Sequence, residues 1–256
     1  MAAPPATRPP DPTTFWAPYR AALFDLDGVL TPTAELHQQA WTQMFEEFLT
    51  ARFGPDHEPY TSADYHAYVD GKPRFDGVRS FLASRRVVLP EGSVDDPPGT
   101  TTVGALGNRK NAIFNELLRT QGIEPYPGSV RLLDHLAGMG TAVAVVSSSR
   151  NARDVLAAAR LADRFDVVID GLTAAAGDIA GKPAPDMFLA AVERLGVPAR
   201  TSVVVEDAVS GVAAGAAGDF GLVIGVDRGA GRDALAAAGA ELVVDDLGEL
   251  APWDMA

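Results

Sequence analysis

Six short apolar runs constrain this chain more than any other feature: 22–25, 141–146, 166–169, 202–205, 222–226 and 241–244. Between most of them lie segments whose apolar residues recur at helical spacing, for example Val130 to Leu136 and Ala184 to Leu195. Strands that alternate with helices imply βαβ units and a parallel sheet, with functional groups at the strands' carboxyl ends. The expected class is therefore α/β, a Rossmann-like parallel sheet core with helices on both faces. The rhythm breaks once. Residues 34–122 read as mostly helical, with helices expected over Glu35 to Phe53, Ser62 to Val69, Gly77 to Arg86 and Asn108 to Gln121. This stretch is expected to be an inserted helical cap domain, and its polar segment 90–104 a mobile loop. The core domain is then 21–33 together with 123–256. Residues 1–20, with Pro4, Pro5, Pro9, Pro10 and Pro12, are read as a flexible tail anchored near Phe15 and Trp16.

The first run delivers two acids, Asp25 and Asp27, to a glycine turn within Leu23-Phe-Asp-Leu-Asp-Gly-Val-Leu-Thr31. Residues i and i+2 of an extended chain point to one side, so both carboxylates face one spot. They repel unless a cation lies between them or one takes a proton. Asp25 is thus a candidate nucleophile beside Mg²⁺, and Asp27 a candidate general acid/base. On these residues alone, a plain Asp-x-Asp-Gly turn or a calcium loop is the alternative.

Three further segments follow in order. Val143 to Val146 is a strand ending in Ser147, Ser148 and Ser149, then Arg150 and Asn151. Hydroxyls and free N–H groups at a helix start suit an anion, and a serine cap cluster is the alternative. Gly181-Lys182-Pro183-Ala184-Pro185 holds a lysine on a stiff lead-in to a helix; a solvated surface lysine is its alternative. Ser202 to Val205 ends in Glu206 and Asp207, followed by Ser210 and Gly211. Hard oxygen donors of this kind suit Mg²⁺.

In sequence order these four segments resemble the motifs of the haloacid dehalogenase superfamily of phosphotransferases. The second acid, Asp27, is absent from the dehalogenases themselves, so the resemblance points to phosphoryl transfer. It implies that Asp25 is phosphorylated, Asp27 shuttles the proton, and Ser147 and Lys182 hold the transferring group. It also implies that Asp25, Asp207 and the carbonyl of Asp27 bind Mg²⁺, with Glu206 as a supporting or direct ligand. Charge on the equatorial oxygens of a transferring phosphoryl group needs this kind of environment.

The helical segment carries the substrate information. His37 and Trp41 are four apart and share one helix face; a His and a Trp so placed are more often core or surface residues than ligands. Asp70-Gly71-Lys72-Pro73-Arg74-Phe75-Asp76 reads as a tight basic loop, and Asn108-Arg109-Lys110-Asn111 as the opening of a helix. Cations there oppose the helix dipole, which a local anion would explain; a solvated helix start is the alternative. With His37 in place, the arrangement resembles the β-phosphoglucomutases more than simple phosphatases. In that group a Gly-x-x-Arg loop and a cap lysine grip the distal phosphate, positions occupied here by Gly71, Arg74 and Lys110. Ser149, Arg150 and Asn151 match the core side of that grip. The chain departs from the pattern in having Arg150 for lysine, Lys72-Pro73 for Val-Ser, and Pro32 for aspartate.

Composition narrows the rest. At 256 residues the chain can bury one large core and a small satellite domain. A net charge of −13 argues against nucleic acid or an anionic membrane as partner. With zero cysteines there is no disulfide or thiolate metal site, which fits a cytoplasmic enzyme. No apolar run approaches the ~18 residues of a membrane span, and the tail lacks the apolar segment of a signal peptide. The expected activity is Mg²⁺-dependent phosphotransfer on a sugar phosphate by a monomer, with a phosphatase as the runner-up. A silent binding module is the alternative from another class, and the presence of all four motif acids speaks against it.

Overall fold

The structure is a computed structural model that describes residues 11–69 and 72–252. Its chain divides into two compact units, one of 1–32 with 123–256 and one of 33–122.

The first unit is built on a six-stranded, all-parallel sheet in the order β3-β2-β1-β4-β5-β6. The strands are β1 (Ala21–Phe24), β2 (Ala142–Val146), β3 (Val167–Ile169), β4 (Ser202–Glu206), β5 (Leu222–Val226) and β6 (Leu242–Val244). β1 and β4 are buried along their whole length, as strands covered on both faces must be. Alternation along the strands separates two apolar layers. Leu23, Ala144, Val204 and Val223 share one cluster with Phe188, Val212 and Leu235 from the helices. Ala22, Phe24, Val145, Val203 and Val205 are equally buried on the opposite side. Chain order reverses at β1, which pairs with β2 on one side and β4 on the other. Ligands of open α/β sheets bind outside the carboxyl ends of the strands at such a switch point.

The helices, in chain order, begin with α1 (Pro12–Phe15) ahead of the sheet. Trp16 beside it is fully buried, and its Nε1–H donates to the Leu250 carbonyl at 2.9 Å. An indole with a paired N–H fastens this stretch at the anchor expected near Trp16. The tail's first ten residues lie outside the described ones.

The inserted unit holds α2 (Thr33–Phe53), α3 (Ser62–Asp64) running into a π-helical turn over Tyr65–Val69, α4 (Arg74–Ser84) and α5 (Val103–Gln121). Trp41, Met44, Phe45, Phe48, Tyr60, Phe81 and Leu106 form part of its core. Phe45 meets Phe81 at 4.0 Å and Tyr60 at 5.0 Å between ring centroids. Contacts of this type add ~0.5–1.5 kcal/mol beyond burial.

Three expectations for this unit are corrected. α5 begins at Val103, not Asn108, because Thr102 caps it by accepting from the Ala105 N–H at 2.9 Å. Gly104 and Gly107 weaken the helical signal here, yet they serve close approach. A Cβ on Gly104 would lie 2.0 Å from the Ser93 carbonyl oxygen, and one on Gly107 would lie 2.6 Å from the Phe75 ring. Lys110 therefore sits inside the helix, and the dipole argument for an anion beside it lapses. Likewise Arg74 opens α4 instead of lying in a loop, with Pro73 at the cap position. Finally, the segment 90–104 is tied down. Val103 and Gly104 donate to the carbonyls of Pro90 and Glu91, and Asn108 Nδ2 donates to those of Val94 and Asp96.

The first unit resumes with α6 (Pro127–Met139), α7 (Ala152–Ala158), α8 (Gly171–Ala176), α9 (Asp186–Leu195), α10 (Val209–Ala217) and α11 (Arg232–Ala238). α9 starts only after Pro183 and Pro185 and stops at Gly196, whose left-handed conformation ends the helix. Right-handed crossovers that wind outward from β1 in opposite directions place the helices on both sheet faces. Among the described residues, no helix is long and apolar enough to cross a membrane.

Candidate active site

The register of the sheet decides which side chains meet. Phe24 pairs with Val145 on one side and Val205 on the other, so the next residue, Asp25, emerges between the ends of β2 and β4. Its own N–H donates to the Val205 carbonyl at 2.9 Å, extending the ladder by one step. Lys182 enters from the loop ahead of α9, through a cis peptide bond to Pro183. Its Nζ donates to Asp25 Oδ1 at 2.5 Å, Glu206 Oε1 at 2.6 Å and the Val146 carbonyl at 2.8 Å. All three ammonium protons are thereby used. The lysine side chain is only 7% exposed and that of Glu206 1%, so the site is sealed at its base.

Glu206 is fully occupied. Its second oxygen accepts from the N–H groups of Asp207 and Ala208, each at 3.0 Å. Both of its oxygens thus have protein partners, and it orients the Asp207 backbone. A Cβ on Gly211 would lie 1.8 Å from Glu206 Oε1, which is why a glycine follows this motif. Gly28 does the same for Asp207. It adopts φ +88°, and a Cβ there would lie 2.0 Å from Asp207 Oδ2.

Asp27 is bracketed by that turn. The Leu26 carbonyl accepts from the N–H groups of Leu30 and Thr31, and Gly28 N–H donates to the Thr31 carbonyl. Ser147 Oγ donates to Asp27 Oδ2 at a long 3.4 Å and also accepts from the Ser149 N–H at 3.1 Å. Ser149 Oγ in turn accepts from the Asn151 N–H. The serines therefore wind the loop between β2 and α7; no side chain caps that helix. Ser148 and Arg150 are exposed, Ser149 half-buried and Asn151 buried.

Electrostatically the site is short of positive charge. Burial lifts the Asp25 carboxyl well above the usual range, and Lys182 opposes this while Glu206, Asp27 and Asp207 add to it. Asp207 is pushed up to about 7 by burial and by the charges of Glu206 and Asp27. Burial would lower Lys182, but Asp25 and Glu206 outweigh it and hold the ammonium charged. Four carboxylates sharing one lysine form a donor set of hard oxygens that suits a small divalent cation. Among the described residues, no three acidic, histidine or cysteine side chains converge into a ready cage. The set implied by the family resemblance needs only two, Asp25 and Asp207, together with the Asp27 carbonyl.

The inserted unit gathers His37, Trp41 and Lys110. Lys110 is 4% exposed, and its Nζ lies 2.6 Å from His37 Nδ1 and 4.9 Å from the Phe114 ring centre. His37 stacks on that ring at 4.2 Å. Burial and then the Lys110 charge lower the His37 pKa well below its usual value, so the ring is neutral and its Nδ1 accepts. Arg74 belongs to a different contact set. It donates to Asn108 Oδ1 at 3.1 Å and packs over Phe75. Arg74 and Lys110 are the two cations expected to share one phosphate grip; the first contacts Asn108 and the second His37. Gly71 lies outside the described residues. Sequence reasoning missed Asn108 as the partner of Arg74, and it missed Arg228, which donates to the Gly28 carbonyl at 3.1 Å. A lone arginine in a loop carries no sequence signal.

The model of the haloacid dehalogenase-like hydrolase family matches residues 19–219. A β-phosphoglucomutase of Mycobacterium tuberculosis (strain CDC 1551 / Oshkosh) is 53% identical over 240 residues, covering 90% of this chain and 91% of that protein. The β-phosphoglucomutase of Bacillus subtilis (strain 168) is 33% identical over 233 residues, with 90% and 91% covered. The crystal structure of a β-phosphoglucomutase from Clostridium difficile matches with a TM-score of 0.66 at 25% identity, covering 91% of this chain and 93% of that one. The chain is an enzyme of the haloacid dehalogenase-like hydrolase family, and within that family it belongs with the β-phosphoglucomutases.

Proposed function

We propose that the protein is a Mg²⁺-dependent β-phosphoglucomutase that interconverts β-glucose 1-phosphate and glucose 6-phosphate through a phosphorylated Asp25. The observation that carries the reading is the buried Asp25–Lys182–Glu206 array with a second acid two residues on, in a chain 53% identical to a β-phosphoglucomutase.

In this reading a sugar hydroxyl of the monophosphate attacks the phosphorus of phosphorylated Asp25, Asp27 takes the hydroxyl's proton, and the bond from phosphorus to the Asp25 carboxylate breaks, giving a bisphosphate. The bisphosphate turns over, Asp25 attacks its other phosphate, the bond from that phosphorus to the sugar oxygen breaks, and Asp27 gives that oxygen its proton. Lys182 and Ser147 hold the equatorial oxygens, and the Ser149–Asn151 loop contacts the phosphate from the core side. Mg²⁺, held by Asp25, Asp207 and the Asp27 carbonyl, supplies positive charge where the carboxylates otherwise repel. Glu206 keeps Asp207 and Lys182 in place.

The inserted unit is proposed as the cap. Arg74, near the start of α4, contacts the distal phosphate with Gly71, while His37 and Trp41 contact the sugar. Lys110 joins Arg74 on the distal phosphate and also meets the His37 ring. Such a cap excludes water and so favours sugar over hydrolysis. A sugar-phosphate phosphatase is the second reading, favoured by the hydrolase description of the matching family.

The test is ³¹P NMR of β-glucose 1-phosphate with the protein, with Mg²⁺ and after EDTA. Glucose 6-phosphate forming only with Mg²⁺ is expected. Free phosphate as the main product would replace the mutase with the phosphatase, and an unchanged spectrum would overturn both.

A further inference from the structure

Arg228 lies outside every motif discussed so far, in the loop after β5. Its guanidinium nevertheless reaches three separate chain segments. Nε donates to the Gly28 carbonyl at 3.1 Å, Nη1 to the Asp245 carbonyl at 3.0 Å, and Nη2 to Asp246 Oδ2 at 3.4 Å. Its Cζ sits 3.9 Å from the centre of the Tyr126 ring. The side chain is 22% exposed, so most of the plane is shielded from water.

What it grips matters for chemistry. Gly28 follows Asp27 directly, and its backbone lies against the Asp207 carboxylate, within the space a Cβ would need. The turn has its own bonds at Leu26 and Thr31, but its Gly28 carbonyl points away from them and is taken by Arg228. Asp27 is the residue before Gly28, so the backbone that Arg228 holds is the one that carries its carboxylate. Tyr126 adds a second hold, since its N–H donates to the Leu30 carbonyl at the far end of the same turn. One planar cation thus clamps Gly28 directly and Leu30 through Tyr126.

The far side of the clamp is rigid. Asp246 caps its own short helical turn by accepting from the Gly248 N–H at 2.8 Å. It also presses on the backbone of Gly128, where a Cβ would lie 1.7 Å from its Oδ1. A lysine could supply the charge, but not an in-plane fork with a stacked face.

We propose that Arg228 is a positioning residue that sets the reach of Asp27 by fixing the Asp27–Gly28 turn against Asp207. The inference rests on the phosphotransfer reading above. Misplacement of a reacting group by about 1 Å can cost ~10² in rate, so the loss on removing the clamp should appear in kcat and pass through Asp27.

A double-mutant cycle tests this with β-glucose 1-phosphate, R228A and R228K each made alone and with D27N. R228A is expected to lower kcat by about tenfold or more with KM changed less than about threefold, and R228K to recover part of it. In the D27N background the Arg228 change should cost little further, the non-additivity of residues that act as one unit. If R228A does not fold, R228K carries the same cycle. Additive losses, a loss confined to KM, or full activity in R228A would overturn the proposal. A parent protein that is inactive would instead overturn the phosphotransfer reading, before Arg228 is tested at all.

Discussion

At the residue scale, two carboxylates two positions apart sit in environments that suit different roles. Asp25 is buried and tied to Lys182 at 2.5 Å, whereas Asp27 is less enclosed and touches Ser147 at 3.4 Å. Asp25→Asn is therefore expected to abolish turnover, since an amide cannot accept the phosphoryl group. Asp27→Asn should leave Mg²⁺ binding intact, because its backbone carbonyl remains, and lower the rate by ~10²–10⁴. Steady-state rates with metal titration by calorimetry check both. Turnover in Asp25→Asn, or lost metal affinity in Asp27→Asn, would reverse the assignments. The pair itself was legible from sequence, since alternation along a strand needs only the spacing. The partners of Glu206 were not, because its contacts to Lys182 and to two backbone N–H groups come from three-dimensional proximity and a local turn.

At the element scale, α2 and α5 are joined by a neutral histidine under a lysine. His37 keeps its pKa well below the ordinary value through burial and the Lys110 charge. A base with a depressed folded pKa is harder to protonate in the native state. Between that value and about 6.5 the unfolded chain binds more protons, so stability rises with pH there and is lost as pH falls below about 6.5. The slope from this one group cannot exceed about 1.4 kcal/mol per pH unit. Urea unfolding from pH 7 to 5 should show the parent losing more stability than His37→Gln. Equal slopes would mean that the ring titrates normally. The sharing of a face by His37 and Trp41 followed from four-residue spacing alone. The start of α5 did not, because Gly104 and Gly107 lower helix propensity while fitting against Ser93 and Phe75.

At the scale of the whole molecule, the mutase reading requires a grip on the phosphate that is not being transferred. Arg74→Ala removes a charge-assisted contact of ~1.5–3 kcal/mol, so kcat/KM for β-glucose 1-phosphate should fall roughly 10- to 150-fold. Transfer from acetyl phosphate, which has no distal phosphate, should change little. Equal losses on both donors would make Arg74 a structural residue paired with Asn108. The α/β class, all six strands and the four motif segments were set by the sequence itself. Strand burial and i, i+2 alternation are local periodicities, and three of the four motifs sit where a strand ends, while the Lys182 motif lies in the loop ahead of α9. Tertiary structure alone decided which motifs touch. The reversal of strand order at β1 brings Asp25 between β2 and β4, and Lys182 closes over it from 157 residues away. The same holds for Arg228 on the Gly28 carbonyl, 200 residues apart in the chain. Such contacts depend on packing between distant segments, and no local pattern encodes them.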